Sequence, residues 1–221
     1  MTKRKFAAIF DMDGVIVDND IYHFKAWEVL CTNYGLNTSP EEVKSWFGNT
    51  NPMILRKLFG DSLDTEAIDR LGNEKELIYR EIYLPDIKPV PGLKLFLDDL
   101  RSCNITIAIA TSAPSVNVDF VLEHTGLKEY FQFIVDASMI TEGKPSPEIY
   151  LKASEVLKSM VSDCLVFEDS FHGIESAGRA GMKVVGVATT HPSSKLNGTI
   201  LNIENFKDIN AEKVIQILNN R

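Results

Sequence analysis

The chain has 221 residues, 44% hydrophobic and 24% charged, with a formal net charge of -8. That length and balance suit a soluble globular protein, either one large domain or a core carrying an insert. The acidic surplus argues against a nucleic-acid partner, and three scattered cysteines without a CxxC pair argue against a disulfide framework or a zinc site.

At the N-terminus, Lys3-Arg4-Lys5 precedes the apolar run Phe6–Phe10, which Asp11 cuts short. That run is too brief for a signal-peptide core, and no other run is long enough to span a bilayer, so a cytoplasmic protein is expected. Phe6–Phe10 reads as a buried strand ending in Asp11-Met12-Asp13-Gly14. Carboxylates two residues apart leave an extended backbone in the same direction, here at the carboxyl end of a strand, where open α/β sheets place their ligands. Such crowding demands a cation or a shared proton, which points to a metal-bound carboxylate nucleophile beside an acid-base partner. Calcium loops and plain Asp-Gly turns share the pattern.

From about Asp18 to Leu84 only helical segments are predicted: Asn19–Tyr34, a short helix from the Ser39-Pro40-Glu41-Glu42 capping box to Phe47, Asn51–Phe59 stopping at Gly60, and Asp64–Tyr83. A helical insert directly after the first strand is expected to act as a lid over its carboxyl end. Pro85–Pro91 reads as the return hinge.

Thereafter strands and helices alternate. Strands are predicted at Thr106–Ala110, Phe133–Val135, Cys164–Phe167 and Lys183–Val187, with a weaker one near Thr199–Ile203. Helices are predicted at Gly92–Leu100, Val116–Leu122, from Ser146-Pro147-Glu148 to Leu157 (Ser146 as cap, Pro147 in the first turn), and Ala211–Leu218. The fold class is therefore α/β: a doubly wound, Rossmann-like parallel sheet with an inserted all-helical cap. The expected core is 1–17 with 88–221, and the cap is 18–87.

Several strand ends carry chemistry. Thr111-Ser112-Ala113-Pro114 reads either as a phosphate-holding turn or as a helix cap. Lys144, biased toward extended backbone by Pro145, suits a phosphoryl group or a nucleophilic carboxylate, and a solvated loop lysine would look the same. Glu168 and Asp169 end an apolar strand. Adjacent strand residues face opposite ways, so both serve one ion only where the pleat breaks. The small residues of Gly173–Gly181 suit close packing against the sheet.

Together, Asp11-Met12-Asp13-Gly14, Thr111-Ser112, Lys144 and Glu168-Asp169 resemble the motif set of the haloacid dehalogenase-like hydrolase superfamily, over essentially the whole chain. Tyr22-His23-Phe24-Lys25-Ala26-Trp27 is similar to the first cap helix of its β-phosphoglucomutase-like and sugar-phosphatase branch. The resemblance implies Asp11 as nucleophile, Asp13 as general acid-base, and Thr111, Ser112 and Lys144 as holders of the transferring phosphate, with Ala113 beside them. It implies magnesium on Asp11, the Asp13 main-chain carbonyl and Asp169, with Glu168 direct or through water. It further implies cap contacts to substrate from His23, Trp27, Gly48, Asn51 and Lys75, although Lys75 would read equally well as a solvated helix charge. The chain departs from the pattern at Asn51, where the mutases and many related sugar phosphatases carry an arginine that grips the substrate's distal phosphate.

The resulting expectation is a magnesium-dependent, monomeric phosphatase of a small phosphorylated metabolite, such as a sugar phosphate, working through a phosphoaspartyl intermediate. A β-phosphoglucomutase-type mutase is the alternative. No nucleic-acid or membrane partner is expected.

Overall fold

The computed structural model describes residues 4–44, 46 and 50–220. In chain order its elements are β1 (Ala7–Phe10), α1 (Asp20–Asn33), α2 (Pro40–Lys44), α3 (Asn51–Phe59), α4 (Thr65–Tyr83), α5 (Leu93–Ser102), β2 (Thr106–Ala110), α6 (Ser115–Thr125), β3 (Phe133–Val135), α7 (Glu148–Leu157), β4 (Cys164–Glu168), α8 (Phe171–Arg179), β5 (Lys183–Val187), β6 (Leu201–Ile203) and α9 (Ala211–Asn219). The chain divides into two compact units, 1–18 with 88–221 and 19–87, one residue later at the first boundary than the sequence suggests. Among the described residues no helix is long and apolar enough to cross a membrane.

The first unit is built on one six-stranded, all-parallel sheet of order β3-β2-β1-β4-β5-β6. Its strands read as continuous apolar runs because helices cover both faces. β1 shows the division. Ala7 and Ile9 join Ile149, Tyr150 and Ala153 of α7 and Ile174 and Ala177 of α8 in one buried cluster. Phe10 turns the other way and stacks on its register partner Phe167, with ring centroids 4.6 Å apart. Phe96 of α5 and Phe131 meet Phe10 edge-on, and Phe206 completes the aromatic layer. The chain builds β2 and β3 on one side of β1, then returns to lay β4 on the other. The order therefore reverses between β1 and β4, and the carboxyl ends of those strands form the crevice where such sheets bind ligands.

Among the described residues the second unit has four helices, α1 to α4, around a core of Trp27, Leu30, Cys31, Val43, Trp46, Ile54, Leu55, Ile68 and Leu71. Trp27 and Trp46 meet edge to face at 6.0 Å. Local capping follows the sequence at α2, where the Glu42 N–H donates to Ser39 Oγ at 3.1 Å, and at α4, where the Ala67 N–H donates to Asp64 at 2.7 Å. The predicted end of the second helix at Phe47 lies outside the described residues.

Other boundaries need small corrections. Asn19 is the cap residue of α1 rather than its first residue, and it makes no capping bond because its amide is turned to the Tyr79 hydroxyl at 2.6 Å. Pro147 stands just outside α7 instead of in its first turn. β6 begins at Leu201, and β4 runs one residue further than predicted, to Glu168.

Candidate active site

The sheet's switch point gathers the acids and the lysine. Asp11 follows β1 directly, its N–H donating to the Phe167 carbonyl at 3.0 Å, and Thr111 follows β2, its N–H donating to the Val135 carbonyl at 3.0 Å. Asp11 and Asp13 both lie beyond the end of β1 rather than on the strand itself. β1 stops at Phe10, the Met12 carbonyl accepts from the N–H groups of Val15 and Ile16, and Asp13 pairs with Val17 in an isolated bridge that flanks this turn. Gly14 continues that turn at φ +76°, a conformation that favours glycine.

Lys144 reaches into this crevice. Its Nζ lies 3.0 Å from Asp11 Oδ1 and 2.5 Å from Glu168 Oε1, and its side chain is 9% exposed. Among the described residues, Asp11, Glu168 and Asp169 bring one carboxylate oxygen each within 4.8 Å of one another. The pleat breaks where it must: Glu168 is the last residue of β4 and Asp169 the first beyond it.

Glu168 is wholly buried and accepts from five donors. Lys144 Nζ and the Tyr150 hydroxyl take Oε1, while the N–H groups of Asp169 and Ser170 and the Ser170 hydroxyl take Oε2. Burial pushes its pKa up, but Lys144 and these hydrogen bonds outweigh it and hold the carboxyl below its ordinary value. Gly173 is small for the same reason. A Cβ there would lie 1.7 Å from Glu168 Oε1, so this glycine makes room for a carboxylate rather than only for the sheet.

Asp11 shows the opposite balance. Burial raises its pKa to about 7, Lys144 opposes, and the charges of Glu168 and Asp13 add to the rise. Asp11 Oδ1 is buried and ion-paired with Lys144, and no group among the described residues is aligned to hydrogen-bond it. For Lys144, burial disfavours the charge, yet Asp11 and Glu168 hold its pKa well above the ordinary lysine value.

A hard divalent cation fits this donor set. It prefers oxygen ligands, and the crevice offers converging carboxylates, one of which carries a buried oxygen that no aligned hydrogen bond takes up. Thr111 is 1% exposed and its Oγ1 accepts from the Ala113 N–H at 3.1 Å, which directs its hydrogen elsewhere. Ser112 is exposed and Ala113 buried.

The helical unit holds a second polar cluster. Lys75 is 2% exposed, with Nζ 2.7 Å from His23 Nδ1 and 2.9 Å from Glu76 Oε1. It also lies 5.4 Å from the Trp27 ring centroid. The solvated reading of Lys75 is therefore wrong: its neighbours on α1 and α4 enclose it. Asn51 Nδ2 donates to the same Glu76 oxygen at 2.7 Å. His23 stacks on Tyr79 at 3.9 Å, and the Asn19 amide bridges the Tyr79 hydroxyl and His23 Nε2. Gly48 lies outside the described residues.

The family model described as haloacid dehalogenase-like hydrolase matches residues 8–187. The chain belongs to this family. Among its relatives is the fructose-1-phosphate phosphatase YqaB of Escherichia coli (strain K12), 31% identical over 192 residues that cover 85% of this chain and 98% of that one. The beta-phosphoglucomutase of Bacillus subtilis (strain 168) is 29% identical over 215 residues, covering 93% and 92%. A crystal structure of a HAD hydrolase of family IA, variant 3, from Entamoeba histolytica superposes with a TM-score of 0.90 at 31% identity, covering 97% of this chain and all of that one. The haloacid dehalogenase-like fold and membership of an enzyme family thus stand together with the observed crevice.

Sequence reasoning passed over Tyr150, Ser170, Thr190 and Glu76 as working partners. Tyr150 is the buried face of a helix and reads as core. Thr190 lies three residues past β5, and position beyond a strand's carboxyl end was the one signal available for it.

Proposed function

We propose that this chain is a magnesium-dependent phosphatase of a small phosphorylated carbohydrate, working through a phosphoaspartate on Asp11. The observation that carries the reading is Lys144 set 3.0 Å from Asp11 Oδ1, with Glu168 and Asp169 converging beside it. Phosphoryl transfer asks mainly for positioning and neutralised charge, so a carboxylate is an adequate nucleophile once cations surround it. In the first step an Asp11 oxygen forms a bond to phosphorus as the bond to the leaving alcohol oxygen breaks, and Asp13 gives that oxygen a proton. In the second, water attacks phosphorus, Asp13 takes its proton, and the acyl–phosphate bond breaks to release phosphate and restore Asp11. Lys144 and the Thr111 hydroxyl hold phosphoryl oxygens through both steps.

Asp11 and Asp169 are the side chains that would hold the ion directly, together with the Asp13 carbonyl. Glu168 would serve from behind, because its lone pairs are already engaged by Lys144, Tyr150, Ser170 and backbone N–H groups. A divalent ion there supplies positive charge that keeps Asp11 ionised at neutral pH and offsets charge on the phosphoryl oxygens. Substrate choice is assigned to the helical unit, through His23, Trp27, Asn51 and Lys75. The E. coli relative named for fructose 1-phosphate supports a carbohydrate substrate.

The B. subtilis relative favours a mutase as the second reading. Asn51 weighs against it: its amide is engaged with Glu76 and brings no cationic fork to a distal phosphate. A panel of sugar phosphates assayed with magnesium, scoring phosphate release and isomerisation in parallel, separates the two. The expected outcome is phosphate release that stops on chelation, returns with magnesium, and falls by at least about 10³-fold in Asp11→Asn. Isomerisation of β-glucose 1-phosphate faster than its hydrolysis would overturn the phosphatase reading.

A further inference from the structure

The segment after β5 touches the acidic crevice from a side that none of the family motifs marks. Thr189 Oγ1 donates to the Gly14 carbonyl, in the turn that carries Asp13. Thr190 Oγ1 donates to Asp169 Oδ2. His191 then stacks on Phe171, the first residue of α8, with ring centroids 4.1 Å apart. Three consecutive residues thus tie the end of β5 to the first acidic turn, to the Asp169 carboxylate and to the helix that follows it.

Gly14 completes the arrangement. A Cβ at Gly14 would lie 2.0 Å from Asp169 Oδ2, so the carboxylate rests directly on the glycine backbone. Asp169 is therefore held between the Gly14 turn beneath it and the Thr190 hydroxyl. The torsion that rotates a carboxylate is soft and roughly two-fold. A donor fixed on one oxygen sets the plane of the group, and with it the direction in which the carboxylate presents its oxygens.

We propose that Thr190 is a positioning residue that aims the Asp169 carboxylate at a divalent ion, with Thr189 keeping the Gly14 turn pressed against it. The inference rests on the magnesium-dependent reading above. Hydrogen-bond partners of ligating carboxylates preorganise the ligand, and losing one weakens metal binding by about 10–100-fold.

The test is calorimetric titration of magnesium chloride into the full-length, chelator-stripped chain, for wild type, Thr190→Val and Thr190→Ser. Valine keeps the shape of threonine and removes the donor, whereas serine keeps the donor. Thr190→Val is expected to bind magnesium about tenfold or more weakly, with Thr190→Ser within about threefold of wild type. In kinetics, the magnesium concentration for half-maximal rate should rise by the same factor in Thr190→Val. Equal magnesium affinity in wild type and Thr190→Val overturns the inference and leaves the phosphatase reading standing, even if urea unfolding shows the variant to be less stable. Wild type that binds no magnesium, with activity indifferent to chelation, overturns the magnesium reading and this inference with it. Should Thr190→Val fail to fold, Thr190→Ala enters the same titration under the same criteria.

Discussion

Lys144 stands between two buried acids, and its uneven attention to them sets their chemistry. Glu168 receives the lysine hydrogen bond and four other donors and stays ionised, while Asp11, beside the same lysine, is driven up to about 7 chiefly by burial. The helical unit repeats the theme with Glu76, which draws on Lys75 and Asn51 together. Burial opposes the Glu76 charge, but Lys75, His23 and Asn51 outweigh it and bring the pKa from 4.5 down to about 2. A depressed carboxyl stabilises the fold above its unfolded pKa and loses that contribution as pH falls toward the folded one. Glu76 should therefore contribute on the order of 3 kcal/mol near neutrality, lost between about pH 4.5 and 2. Glu76→Gln, which strands Lys75 in a buried site, is expected to lower unfolding free energy by roughly 3–5 kcal/mol at pH 7. Urea unfolding across pH should show the gap between variant and wild type closing as acid protonates Glu76, and a gap independent of pH would refute the assignment.

At the scale of elements, β1 places the nucleophile and its neighbours anchor it. The register Phe10↔Phe167 brings Asp11 level with Glu168 at the switch point, and the stacked rings of that pair lie in the aromatic layer behind them. Phe10→Ala should destabilise the sheet unit by about 3–5 kcal/mol, read by denaturant unfolding. A loss under about 1 kcal/mol would show that the layer repacks without it. The strands were legible because each is a short apolar run bounded by turn residues, and β2, β3 and β5 fall where predicted. Ends were less legible. Whether Asn19 caps α1 depends on Tyr79, sixty positions along the chain, and no local pattern reports that competition.

For the molecule as a whole, the two units draw their buried apolar clusters from separate stretches of chain. Among the described residues the helical core draws on positions 24–78, and Leu55 within it is fully buried. Leu55→Ala should cost about 2–5 kcal/mol locally and raise amide exchange through α1, α3 and α4, while β1 to β5 keep their protection. Uniform loss of protection across the sheet would show instead that the units unfold as one. The amino-acid sequence by itself determined the alternation of strands and helices, the helical insert and the acids and lysine at strand ends, because these follow from local periodicity and motif spacing. Only the tertiary structure decided how the charges are shared: that Lys144 lies closer to Glu168 than to Asp11, that Asn51 reaches the Glu76 carboxylate, and that Thr190 holds Asp169. Such pairings join residues distant in sequence inside a low-dielectric interior, where burial and a single hydrogen bond set which group keeps its charge.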